Sequence, residues 1–525
     1  GTTADSNQSW SLQITDALAD GLVSYKVVAE DKAGNQAVVE KSFTVDTLAP
    51  EFSGGLDAVY DSGSVNNDGV TKFATPVFSG VGEAGASVSL KVGTQNYTTT
   101  IDANGEWRVE LNSPLNDGSY TYQATATDAA GNQTKLNGTI VVDTALEFAG
   151  GLEGASDTGL ANNDGITQAT TPTFSGAGEA DASVTLTVAG KTYSTTVESD
   201  GSWRISVPDS LTEGVNSYKL QSQDLAGNTK TINSSMTVDT TAPVTFTGGL
   251  SITSDSGSFA NDGITNITKP TFNGTVEQGS SVTLTINGAQ YNAVVDNQGQ
   301  WSVTLPTALA DNQYEYTLTA TDVAGNSRTL TDSITIDTKT ALAGGLSASS
   351  DTGVSASDNL TKDAKPVFSG SAEAGAQVAV TIANQVYTTT ATEEGTWSVK
   401  VTDALVDATH DYVITATDIA GNSKSLSGSV TVDTQTTLTA RLQSSSDSGI
   451  SNTDNITKVT KPLFTGTGEV GATVALTIDD SSYTTQIGDD GKWSLQVDQD
   501  LTDGDYNYQV VATDAAGNTV QKTSA

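Results

Sequence analysis

The sequence predicts an all-β protein, a tandem array of seven-stranded β-sandwich domains forming an elongated rod. Three observations carry that expectation. A tryptophan returns every 96 to 98 residues, at Trp10, Trp107, Trp203, Trp301, Trp397 and Trp493, and self-similarity at a fixed period marks a repeat architecture. An Asp-Thr pair behind Val or Ile keeps the same beat at Asp46, Asp143, Asp239, Asp337 and Asp433, as does an Asp-x-Ala-Gly-Asn segment opening at Asp31, Asp128, Asp224, Asp322, Asp418 and Asp514. Within each period apolar residues alternate with polar ones, the spacing of strands with one buried face.

The period divides the 525 residues into four complete units, 47–143, 144–239, 240–337 and 338–433. Residues 434–525 make a fifth unit lacking its last strand, and residues 1–46 hold only the C-terminal strands of a partial one. The chain therefore reads as a piece of a longer array. A unit of this size is large enough for a core of its own.

Unit 240–337 shows the strands in order: 244–252, 270–276, 281–287, 290–295, 300–305, 313–321 and 328–337. Val282, Leu284 and Ile286 alternate with threonines in the third; Trp301, Val303 and Leu305 point one way in the fifth. Pro76, Pro172, Pro270, Pro366 and Pro462 each open the second strand, where a missing amide donor costs least. Gly, Asn and Asp fill the gaps as turn formers. Seven short strands around a core Trp point to an immunoglobulin-like sandwich. All six tryptophans are expected in cores, and so unable to stack on a sugar.

With 23 basic and 62 acidic residues the net charge is −39. Nucleic acid is excluded as a partner, because phosphates need neutralising lysine and arginine; anionic membrane surfaces are disfavoured for the same reason. No apolar stretch is long enough to span a membrane, and the first residues carry no signal-peptide pattern. Cysteine is absent, so nothing is stapled by disulfides. The single histidine, His410, has no counterpart in other units and is expected at the surface.

About half of the 62 acids recur from unit to unit. Two Asp share the loop after the first strand: Asp61 with Asp68, Asp157 with Asp164, Asp255 with Asp262, Asp351 with Asp358, and Asp447 with Asp454. A Glu follows the second strand at Glu83, Glu179, Glu277, Glu373 and Glu469. Strand direction puts the two-Asp loop and the Asp-Thr pair at one pole of a unit, and the Glu and the Asp-x-Ala-Gly-Asn loop at the other. End-to-end stacking then brings Asp143 to the next unit's Glu179 and Asp224. Two carboxylates about 5 Å apart repel by about 3 kcal/mol at an effective dielectric near 20. Calcium fits such a collection best, since it takes six to eight hard oxygen ligands in flexible geometry; zinc and copper lack Cys and His ligands.

Other readings stay beside this one. The Asp of Asp-x-Ala-Gly-Asn equally suits an Asx-turn, and the acids before the sixth strand (Asp20, Asp117, Glu213, Asp311, Asp407, Asp503) read as turn formers.

The Val-Asp-Thr linker, the Ser-Asp-Ser/Thr-Gly…Asn-Asp loop, the Pro-x-Phe strand and the Thr-Asp-x-Ala-Gly-Asn turn together resemble bacterial Ig-like repeats. Such repeats build the extender regions of giant type I-secreted adhesins, including RTX-type and biofilm-associated ones. The resemblance covers every unit. It implies a stalk with calcium at or near the domain junctions, and carries the ligand role onto the two-Asp loop, the Asp of Asp-Thr, the Glu after the second strand and the Asp before Ala-Gly-Asn. Ala49-Pro50 and Ala242-Pro243 fit the family's linker, whereas the segments after Asp143, Asp337 and Asp433 lack the proline. Ser357 and Thr453 replace the Asn beside Asp358 and Asp454, and Gln8 replaces a Gly ahead of Trp10.

The expected function is a calcium-stiffened extender projecting a distal adhesive domain from a bacterial surface, for adhesion and biofilm formation. Its partners are calcium ions and neighbouring repeats of the same chain; it is expected extracellular, monomeric and without enzymatic activity. The alternative is an array whose individual domains bind glycans or host proteins, which calls for matching exposed aromatics that Tyr60 and Phe259 do not supply.

Overall fold

The computed structural model describes residues 1–524. Among these there is no helix, and strands recur with the predicted period. The chain divides into two compact units, residues 1–242 with 322–326, and residues 243–321 with 327–525.

In the first unit, the repeat at 47–143 sets the pattern. Its strands are β1 (Phe52–Leu56), β2 (Val70–Thr71), β3 (Val77–Gly82), β4 (Ser87–Val92), β5 (Gln95–Thr100), β6 (Glu106–Glu110), β7 (Gly118–Thr127) and β8 (Gln133–Val142). One sheet has the order β1-β3-β6, the other β2-β8-β7-β4-β5. The seven expected strands are all present, and β2 is a short addition to them. Strand β2 is two residues long, too short to show a period, and pairs parallel with the end of β8: Val70 opposite Val141, Thr71 opposite Val142. The amide of Asp143 then donates to the Thr71 carbonyl at 2.9 Å, so β2 fixes the first linker residue. Repeat 144–239 uses the same two sheets.

The core lies between the sheets, as the alternation requires. Val88, Leu90 and Val92 of β4 are buried, with Phe78 fully so; each such side chain contributes roughly 1.5–3 kcal/mol of transfer free energy. Trp107 is buried, and its indole N–H donates to the Ser53 carbonyl of β1 at 3.0 Å. Gly80 makes room for the ring: a Cβ there would stand 2.8 Å from the indole nitrogen. Phe78 meets Tyr122 of β7 edge-on at 4.9 Å, a favoured aromatic geometry.

Residues 1–46 depart from the pattern. They form one hairpin, Gly21–Glu30 against Gln36–Val45, with no second sheet over it. Trp10 is consequently 51% exposed, which corrects its placement in a core; the other five tryptophans are buried.

In the second unit, repeats 240–337 and 338–433 carry the same strands. In the former the equivalent of β5 switches sheets: Ala289–Asn292 pairs with Ser281–Ile286, and Val294–Val295 with Gln300–Thr304. The last repeat keeps Arg441–Leu442 as its first strand and ends on Thr519–Ser524; it forms no equivalent of β2 among the described residues. The predicted prolines precede the equivalents of β3 throughout, and Pro270 accepts from Leu305 N at 3.1 Å.

Candidate metal centres at the repeat boundaries

Among the described residues, three groups of acids converge. Asp143, Glu179 and Asp224 in the first unit, and Asp337, Glu373, Asp418 and Asp433, Glu469, Asp514 in the second, each place three carboxylates with oxygens within 4.8 Å of one another. Each group joins the end of one repeat to two loops of the next: the turn after β3 and the turn after β7. Strand direction dictates this meeting, since β8 ends where the following repeat presents those turns.

No protein cation offsets the charge. None of the seven ion pairs among the described residues involves an acid of these groups. At 4.8 Å and an effective dielectric near 20, each pair of carboxylates repels by about 3 kcal/mol. The carboxyls respond accordingly. Burial, then the charges of Asp143, Asp224, Asp117 and Glu147, push Glu179 up. Burial and the acids beside them likewise raise Asp143, Glu373 and Glu469. The donors are all oxygens, hard and acidic, which suits calcium and gives zinc or copper no nitrogen or sulfur ligand.

The Asp of Asp-x-Ala-Gly-Asn serves as an Asx-turn as well. Asp224 Oδ1 accepts from Asn228 N and Oδ2 from Asn228 Nδ2, both at 2.8 Å. Asp128 takes hydrogen bonds from Ala130, Gly131 and Asn132; burial works against its charged form, yet these bonds hold its carboxyl below the usual range. Asp322 is held by Gly325 and Asn326. The Asn carries a second link: Asn228 Nδ2 also donates to the Asp143 carbonyl at 2.8 Å, Asn326 to Asp239 at 2.8 Å, Asn422 to Asp337 at 2.8 Å and Asn518 to Asp433 at 2.7 Å.

Not all predicted acids gather. Asp46, Glu83 and Asp128 do not converge to that distance; the hairpin carrying Asp46 lacks the sandwich that fixes the other linkers. Asp239 lies beside Asp322 in the first unit, and burial followed by that neighbour's charge raises it. Glu277 accepts from Val244 N at 3.3 Å.

The acids of the two-Asp loops are not part of these groups. Asp61, Asp157, Asp255, Asp351 and Asp447 are all buried. One oxygen of each accepts an amide eight residues on, Gly165 N at 3.0 Å from Asp157 Oδ2 for instance. The other oxygen, Oδ1, is buried without any hydrogen-bond partner in all five. Asp68, Asp164, Asp262, Asp358 and Asp454 are exposed and hold the amide two residues on, as Asp68 does Val70 N at 2.9 Å. Burial first, and then the second Asp, raise Asp61, Asp157 and Asp255.

One set of acids does more than the sequence reading allowed. Asp117, read as a turn former, accepts from both the amide and the hydroxyl of linker Thr144, at 3.0 and 2.8 Å. Asp20 with Thr47, Glu213 with Thr240, Asp311 with Thr338 and Asp407 with Thr434 repeat the contact. The signal was the constant spacing of 27 residues between acid and threonine. His410 Nε2 donates only locally, to the Val406 carbonyl at 2.8 Å.

Among solved structures the chain is similar to a Ca2+-stabilized adhesin that helps an Antarctic bacterium reach out and bind ice, at 30% identity over 74% of this chain and 100% of that one, with a TM-score of 0.25. It is also similar to a tetra-tandem repeat in the extending region of a large adhesion protein (23% identity, 70% and 97% covered, TM-score 0.26). A third is a 1.5-MDa bacterial ice-binding adhesin (26% identity, 50% and 92% covered, TM-score 0.23). No curated protein matches the chain. The bacterial Ig-like domain family matches residues 1–47, 49–144, 147–240, 241–338, 340–434 and 435–525, and with nearly every residue inside a match the chain belongs to that family.

Proposed function

We propose that this chain is an extender segment of a bacterial surface adhesin, stiffened by calcium at its repeat boundaries and carrying a distal ligand-binding domain away from the cell. The observation that supports it most is the recurring triad exemplified by Asp143, Glu179 and Asp224, three carboxylates from two repeats with no lysine or arginine paired to them. Calcium there would neutralise the repulsion and tie the end of one repeat to two loops of the next. The buried, unpartnered Oδ1 of Asp61 and its four equivalents would suit a second calcium ion in the two-Asp loop, with Asp68 and its equivalents as further ligands.

Linkage supplies the mechanism. An ion that binds the ordered junction and not the slack one stabilises the ordered form by RT ln(1 + [Ca2+]/Kd), about 2.7 kcal/mol at a hundredfold excess over Kd. Extracellular modules bind calcium at about 0.1–1 mM, so the segment would be slack in a low-calcium cell interior and stiff outside. The role is mechanical, repeated at the three boundaries where a triad forms, with no specialised unit for catalysis.

Small-angle scattering in millimolar calcium and after its removal, with thermal unfolding on the same samples, tests the reading. An extended particle that loses rigidity and melts earlier without calcium is expected. Identical profiles and midpoints overturn it.

A further inference from the structure

We infer that the loop joining β1 to β3 is a docking surface for the Asp-x-Ala-Gly-Asn loop of the following repeat, a clasp that holds a junction without any ion. The receiving surface is a row of donors and the docked loop a row of backbone acceptors. In the first unit, three successive carbonyls are each met. Leu160 N donates to Val323 O at 3.3 Å, Thr158 Oγ1 to Ala324 O at 2.8 Å and Gln168 Nε2 to Gly325 O at 3.4 Å. In the second unit, Val354 N, Thr352 Oγ1 and Lys362 Nζ meet Ala515, Ala516 and Gly517 in the same way, at 3.2, 2.8 and 2.8 Å. Ser62 and Lys72 contact Ala226 and Gly227, and Ser256 contacts Ala420.

The glycine of the Asp-Ser/Thr-Gly motif makes the approach possible. Gly63 has φ +106°, and a Cβ on it would lie 2.0 Å from the Leu225 carbonyl oxygen. At Gly159, Gly257 and Gly353 the equivalent distances are 2.0, 1.8 and 2.0 Å. A side chain of any kind would therefore wedge the two loops apart. The hydroxyl also accepts from a donor inside its own loop, Lys72 N to Ser62 Oγ at 2.8 Å, which aims its proton outward. The motif thus has two adjacent roles: its Asp turns inward, while the next two residues grip the neighbouring repeat. Every contact in the clasp is a hydrogen bond or van der Waals approach between protein groups, so chelation leaves it in place.

The chain has no cysteine, so pairs of introduced cysteines can be spin-labelled cleanly. Thr98→Cys and Ser194→Cys place labels on exposed strand positions of consecutive repeats in the first unit. The full chain is compared by pulsed electron paramagnetic resonance with calcium and after its removal. Removing calcium broadens the distribution as the junction slackens, but the clasp keeps a residual narrow component within it, and Gly63→Ala abolishes that component. Because Gly63→Ala strains its own loop, Ser62→Ala combined with Lys72→Ala serves as the second variant and is expected to broaden the distribution as well. Equal widths for parent and both variants without calcium overturn the clasp. Calcium failing to narrow the variants' distributions would instead count against the ion at the Asp143 triad and leave the clasp standing.

Discussion

Asn228 divides one side-chain amide between two acceptors on opposite sides of a repeat boundary: the Asp143 carbonyl and the Asp224 carboxylate, each 2.8 Å away. The bond to Asp143 fixes the linker backbone, and the bond to Asp224 orients an acid of the triad. Asn422 and Asn518 do the same at two other boundaries.

Replacing Asn228 with Ala removes both bonds and leaves Asp224 Oδ2 without its partner. A lost hydrogen bond costs about 0.5–1.5 kcal/mol, so faster hydrogen exchange is expected at the amides of Thr144 and Ala145. Unchanged exchange at those amides would mean the bridge does not hold the linker.

Glu179 gives a prediction whose sign depends on the ion. Without calcium, Glu179→Gln removes one charge from a repelling trio and should raise the melting temperature of the affected repeats. In saturating calcium the same substitution removes a ligand and should lower it. A change of the same sign in both conditions would contradict the triad as a cation site.

The pH dependence follows from the same groups. In the ion-free protein Glu179, Glu373, Glu469 and Asp143 have raised pKa values, burial being the first cause. The folded form then binds more protons than the unfolded through the window above their ordinary pKa, so stability falls as pH rises through it. Ion-free samples are expected to melt later as pH is lowered from neutral toward that window. Below it, carboxyls held low by hydrogen bonds, such as Asp128 and Asp102, protonate and reverse the trend. With calcium bound, protons compete with the ion, and lowering the pH should lower the melting temperature. Melting curves across that range, with and without calcium, check the reversal.

Trp301 is buried in its sandwich and donates to the Thr247 carbonyl at 3.1 Å. Trp301→Ala should cost about 3–5 kcal/mol and produce a separate early transition in calorimetry from that repeat alone. A trace indistinguishable from the parent's would contradict independent cores.

The sequence carried much of this arrangement. Alternation and period locate the strands within a few residues, and strand direction alone brings Asp143 to Glu179 and Asp224. What it hid is short or two-sided. Strand β2 has only Val70 and Thr71, too few for a pattern, yet it positions Asp143 through Thr71. Asp117 looks like any turn acid until Thr144 is seen folded back on it. Trp10 obeys the period and still lies exposed, because burial depends on a second sheet that residues 1–46 do not contain.

Calorimetric titration of calcium into the ion-stripped chain, beside a variant carrying Glu179→Gln, Glu373→Gln and Glu469→Gln, tests the central claim most directly. The account predicts saturable binding near 0.1–1 mM in the parent and loss of the three boundary sites in the variant. Titrations that coincide, or a parent that takes up no calcium, would contradict it.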